Sequence, residues 1–185
     1  MDRDKAFKVC LDAGHGGNDS GAVGQNEKEK NMNLLLAHLA KMRLECWCEV
    51  VMTRYDDVFV TLENRAKIAN DEGCDIFVSL HFNGFTEMSA HGAETWYYPG
   101  STLGVRLAGL VQNEIVEATG RRDRGLKSNR GFAVLKLTRM PAILVESGFI
   151  TNPDDEEYFR CINNMVTLAE AVARAIRFYT IIKEA

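Results

Sequence analysis

Three segments place side chains able to hold a metal or move a proton directly after apolar runs. Leu11 to Gly21 read LDAGHGGNDSG, with His15 among glycines and turn formers. Asp75 to Gly84 read DIFVSLHFNG, a β-rich run that delivers His81 just before an Asn-Gly turn. The third segment, PAILVESGFITN, carries Glu146 after four apolar residues. Each has a bland explanation on its own. An imidazole at a turn often only hydrogen-bonds the backbone, and a carboxylate after an apolar run often pairs with an arginine, since burying it unpaired is costly. The combination says more. Parallel strands of an α/β sheet align their carboxyl ends on one edge, outside which ligands bind, so His15 and His81 can meet there although 66 positions separate them.

Two histidines and a carboxylate, with a fourth position left open, form a common ligand set for catalytic zinc (Zn2+). A third ligand is needed, and Glu27 or Glu29 in QNEKEKNMNL, where the loop after His15 turns into the first helix, is well placed for it. Spacing alone does not choose between them. His38 lies nine residues beyond Glu29. At about 100° per residue that puts it on roughly the opposite helix face, away from any shared site. His91, in an MSAHG turn, reads as a surface residue.

The elements that must position these groups alternate between β-rich and helix-periodic segments. This pattern predicts an α/β fold: one domain over residues 1–185, with a twisted mixed sheet of about six strands flanked by helices. The expected strands are Phe7–Asp12, Glu49–Thr53, Asp75–His81, Ala93–Tyr98, Phe132–Leu137 and Ala142–Glu146. Asn152 before Pro153, Asp154, Asp155 and Glu156 caps a helix start, with three carboxylates against the positive end of its dipole. Thr61 caps a helix that Gly73 ends, and Ser101 or Thr102 opens another that closes at Gly120. From about Lys30 the stripe Met32, Leu35, Leu36, Leu39 and Met42 predicts a helix after the His15 loop.

Composition narrows the partners. A formal charge of −4 gives no general basic footprint for phosphate backbones, which argues against nucleic acid. No apolar run approaches the roughly 20 residues of a membrane span, and the opening MDRDKAFKVC lacks the apolar core of an export signal. The five cysteines include only one close pair, Cys46 and Cys48, and read as buried free thiols rather than a disulfide framework or a structural zinc site. The stretch RRDRGLKSNRG stands apart, with a local balance of +4. It reads as a loop before the fifth strand, with a possible role at an acidic substrate.

In this order, LDAGHGGNDSGAVG, EKNMNL, VVMTRYDD, TLENRAKIAN, DIFVSLHFN, RGLK and MPAILVESGFITNPDDEEY resemble the third type of zinc-dependent N-acetylmuramoyl-L-alanine amidases, which cleave bacterial peptidoglycan. The resemblance spans nearly the whole chain. It implies that His15, Glu29 and His81 are the zinc ligands, because Glu29, Lys30, Asn31, Met32, Asn33 and Leu34 reproduce the family's glutamate motif better than the residues after Glu27. It also implies that Glu146 is the catalytic residue, moving the proton of a zinc-activated water. Asn83, Arg124 and Lys127 are the expected substrate contacts, and peptidoglycan the expected partner of a monomer. Action is then expected at the bacterial cell wall, by phage-type release or as a trimmed secreted domain. Two rivals are a peptidoglycan-binding module that lost catalysis, which should lack one of the four residues, and a zinc peptidase of different substrate, against the common kind of which the absence of an HEXXH pattern counts.

Overall fold

The computed structural model describes residues 7–183. Six strands form one mixed sheet: β1 (Lys8–Ala13), β2 (Glu49–Met52), β3 (Ile76–Asn83), β4 (Ala93–Tyr97), β5 (Asp123–Ser128) and β6 (Ala142–Phe149), in the order β2-β1-β3-β6-β4-β5. β2, β1, β3 and β6 run parallel, β4 runs against β6, and β5 follows β4 in parallel. The α/β reading with a six-stranded mixed sheet therefore holds.

Strand alternation sends side chains to two helical layers. Val9, Leu11, Ile76, Val78, Leu80, Ile143 and Val145 pack on one face with α1 (Glu29–Leu44), α3 (Thr102–Thr119) and α6 (Ile162–Lys183). Cys10, Phe77 and Leu144 face the smaller layer of α2 (Leu62–Asp71) and α4 (Ala133–Leu137). The expected caps are present. Thr61 accepts from the Asn64 N–H, Ser101 from the Gly104 N–H, and Asn152 opens α5 (Pro153–Arg160) by accepting from Asp154 and Asp155.

Four expectations are corrected. Phe132–Leu137 is not a strand: Ala133–Leu137 is the short helix α4, whose consecutive Val134 and Leu135 are both buried. Periodicity cannot separate strand from helix in an apolar run this short. The fifth strand is instead Asp123–Ser128, inside the basic stretch read as a loop. As the sheet's edge strand it needs no apolar alternation, because its ladder with β4 supplies the order and charged side chains are at home on an edge. The α1 stripe is also shifted. Met32, Leu36, Ala37, Ala40 and Leu44 are buried, whereas Leu35 and Met42 face solvent. Of the cysteines, Cys10, Cys48 and Cys74 are buried free thiols, but Cys46 and Cys161 are exposed.

Candidate metal centre

β1 ends in an acid, Asp12, buried under the sheet edge. It accepts from Thr53 Oγ1 and Ser79 Oγ, both at 2.6 Å, and from Arg65 Nη1 at 2.7 Å. Burial acts to raise its pKa, but the Arg65 charge and these hydrogen bonds outweigh it and hold the carboxyl below its usual range. Beyond Asp12 the chain turns sharply, with His15 in the left-handed region at φ 59°. A non-glycine residue pays for that conformation and persists in it only where its surroundings insist. Here two buried arginines insist. Arg65 donates to the carbonyls of Ala13 and His15 at 2.6 Å each. Arg54 donates to those of Ala13, Gly14 and Lys30 at 2.9, 2.9 and 2.7 Å.

The turn delivers His15 to Glu29, the first residue of α1. His15 Nε2 lies 3.1 Å from Glu29 Oε2, and His81 Nδ1, from β3, lies 2.9 Å from Glu29 Oε1. One ligand atom from each of the three falls within 4.8 Å of the others. Among the described residues no other group of three acidic, histidine or cysteine side chains comes together in this way. The set has the donor chemistry of a zinc site. Asp19 Oδ2 sits 2.8 Å from His15 Nδ1, fixing the ring so that Nε2 faces Glu29. Burial works against the Glu29 charge, yet hydrogen bonds and charge from His15 and His81 hold its carboxyl well below the carboxylate range. Two glycines make the room. A Cβ on Gly14 would lie 2.1 Å from His81 Cε1, and one on Gly21 would lie 2.5 Å from Glu29 Oε2.

The loop before α1 is held from the far end of the chain. The Glu156 carboxylate on α5 accepts from the backbone N–H of Gln25, Asn26 and Glu27 at 3.1, 2.7 and 2.8 Å. Val23 bridges Lys28 across this loop. Glu29 thus enters the cluster, and Glu27 stays outside it. His38 binds the Tyr55 carbonyl and His91 the Ser89 carbonyl, both apart from the site.

In register, His81 of β3 pairs with Glu146 of β6, and Glu146 pairs with Glu94 of β4. Three ionisable side chains therefore form a row across adjacent strands. Glu146 Oε2 is shielded from solvent and has no hydrogen-bond partner among the described residues. Burial pushes this carboxyl well above its ordinary pKa; the charges of Glu29 and Glu94 add to the effect and that of Lys127 opposes it. Glu94 is also buried but fully engaged. Its Oε2 accepts from Arg124 Nε at 2.7 Å and Lys127 Nζ at 2.5 Å, and its Oε1 from Asn83 Nδ2 and Trp96 Nε1 at 3.2 and 3.1 Å. The three expected substrate contacts, Asn83, Arg124 and Lys127, thus share one acid.

The sequence reading passed over Asp12, Asp19, Arg54, Arg65 and Glu94, and took Glu156 only as a carboxylate at a helix start. Asp12 and Glu94 did leave a signal, since each is an acid inside a β-rich run, as Glu146 is. A concavity of about 450 Å³ between Tyr98, Lys136, Arg139 and Pro141 opens at the other end of β6 and holds none of these groups.

Over residues 9–177 the chain matches the N-acetylmuramoyl-L-alanine amidase family. It is 39% identical over 175 residues to the Bacillus subtilis protein YqiI, covering 92% of this chain and 84% of that one. It is also 37% identical over 151 residues to the N-acetylmuramoyl-L-alanine amidase LytC of Bacillus subtilis, covering 80% of this chain but only 30% of that longer protein. The crystal structure of an N-acetylmuramoyl-L-alanine amidase from Clostridium difficile 630 superposes with a TM-score of 0.91 at 37% identity, covering 96% of this chain and 98% of that one. With the match spanning most of its length, the chain belongs to the N-acetylmuramoyl-L-alanine amidase family.

Proposed function

We propose that this chain, as one catalytic domain, hydrolyses the amide between the lactyl group of N-acetylmuramic acid and the L-alanine of the peptidoglycan stem peptide, with zinc held by His15, Glu29 and His81. The observation that carries the reading is the convergence of those three ligand atoms within 4.8 Å, one strand away from an unpartnered carboxyl at Glu146. Zinc bound there supplies a Lewis acid for the carbonyl and a lowered pKa for water.

The remaining steps belong to the chain's own residues. Glu146 takes the proton of the attacking water and passes it to the departing alanine nitrogen. A carboxyl suits both halves of that task, because it can accept a proton and then return it. Asp19 orients His15 through Nδ1, and the arginine-held turn keeps that residue in place. Asn83, Arg124 and Lys127 line the approach on the Glu94 side and meet the stem peptide there. The products are a glycan with free lactyl groups and a peptide with a free amino terminus, so the site of action is the bacterial cell wall. Mass spectrometry of defined muropeptides after digestion tests the reading. The expected cut lies before L-alanine, stops with a strong chelator and returns with zinc; cleavage inside the peptide or the glycan refutes it.

A further inference from the structure

We infer that Arg124 and Lys127, gathered by Glu94 beside Glu146, select stem peptides with a free carboxylate on the residue after L-alanine over stems in which that group is an amide. The inference rests on the amidase reading of the site. It starts from a charge count. Glu94, with 3% of its side chain exposed, is one buried carboxylate, yet two cations meet its Oε2. One cation would neutralise it; the second leaves the cluster at +1. Neither neighbouring acid contacts these cations: Glu29 is held by His15 and His81, and Glu146 Oε2 has no partner among the described residues.

Both cations are built into place. The Arg124 guanidinium stands 4.7 Å over the Phe149 ring and Lys127 Nζ lies 5.3 Å from the Trp96 ring. They keep 25% and 33% of their side-chain surface open, so they form a layer between the buried acid and solvent. They also keep donors to spare. Among the described residues Lys127 Nζ has only Glu94 as a hydrogen-bond acceptor, and Arg124 uses Nε for Glu94 and Nη1 for a 3.5 Å contact to the His91 carbonyl. An acceptor with negative charge is what this arrangement lacks.

Position identifies the acceptor. Across the sheet the order is His81 on β3, Glu146 on β6, Glu94 on β4, then Arg124 and Lys127 on β5. The positive charge therefore lies on the side of Glu146 away from His81. Strands are spaced about 4.8 Å apart, so β5 is about 10 Å from β6, and the Arg124 and Lys127 side chains lean back over β4 to shorten that gap. Two residues of extended peptide span about 7 Å, which brings the carboxylate of the second stem residue from a scissile amide near Glu146 to these cations. A free carboxylate on that residue meets the cluster as an anion, whereas the corresponding amide meets it as a neutral group.

The test uses the zinc-loaded chain and two muramyl peptides that differ only in a carboxylate or carboxamide at the second residue. The free acid is expected to be cut with a kcat/KM on the order of tenfold higher, the scale of one charge-assisted hydrogen bond, with most of the difference in KM. Lys127→Met should bring the ratio toward one, and Arg124 still holds Glu94 in that variant. Equal rates on the two peptides with the parent protein, or a preference for the amide, overturn the inference and leave the amidase reading standing. Failure to cut either peptide overturns both. A ratio unchanged in Lys127→Met and in Arg124→Met removes these residues as its source and overturns the assignment.

Discussion

Replacing Glu146 by glutamine removes the proposed proton carrier while keeping its size. A positioned acid-base group contributes about 10² to 10⁴ in rate, or about 3 to 5 kcal/mol of barrier, so kcat on a muropeptide should fall by that range. Metal content should not change, because the proposed ligands His15, Glu29 and His81 number three without it. Stability should move the other way. The Glu146 pKa is raised by burial and by Glu29 and Glu94, so the folded state holds this proton at pH values where the unfolded chain has released it. The parent chain, stripped of metal, therefore loses stability as pH climbs from the unfolded value near 4.5 through the folded pKa. Glutamine carries no such penalty. Metal-free Glu146→Gln should consequently melt at or above the parent temperature at neutral pH, with the gap closing below about pH 4.5. Discontinuous muropeptide assays, zinc analysis and thermal melts against pH supply the three readings. A variant that loses its zinc makes Glu146 a ligand, and one that keeps near-parental turnover removes it from the chemistry.

Other perturbations separate the remaining roles. Glu29→Ala should weaken zinc binding by orders of magnitude while Glu27→Ala leaves it nearly unchanged, as read by competition with a metal indicator; equal effects contradict the ligand assignment. Gly14→Ala drives a Cβ into the His81 ring, so zinc affinity should drop sharply while the far-ultraviolet circular dichroism stays native. Arg65→Met leaves Asp12 buried without its cation and should cost about 3–5 kcal/mol in denaturant unfolding, the usual cost of breaking a buried pair from one side. A loss below about 1 kcal/mol, the scale of an exposed pair, would show that Asp12 is balanced by other means.

What could be read from the sequence depended on whether a residue's role was local. His15, His81 and Glu146 were legible because each ends a recognisable β-rich run, and sheet geometry then requires them to share an edge. Glu29 was legible only through resemblance, since Glu27 has the same local chemistry and is excluded by a contact with Glu156, 129 positions away. Arg54 and Arg65 were invisible as clamps for the same reason: their acceptors lie 24 to 52 positions off. The misreading of β5 and α4 has a different cause. An edge strand can be as charged as a loop, and a single buried helical turn is as apolar as a strand, so burial pattern alone inverted the two.

The buried charges around the site explain why it is set before any metal arrives. A left-handed, non-glycine residue at His15 costs about 1 to 3 kcal/mol. Hydrogen bonds from a charged donor contribute about 1.5 to 3 kcal/mol each, and two arginines direct five of them at the carbonyls of residues 13–15 and 30. The turn is therefore over-determined, and metal binding need not supply the free energy to order it. That excess has a consequence for dissection. Arg54, Arg65 and Asp12 tie β1 to β2, α1, α2 and β3, so damage to them should lower stability and metal affinity together. Glu146 stands outside that network, with one carboxylate oxygen unpartnered, so its replacement by glutamine should lower turnover without lowering stability or metal content. The groups that hold the proposed metal ligands and the proposed proton carrier are thus separable by measurement, because the hydrogen-bond network includes the former and leaves Glu146 Oε2 out.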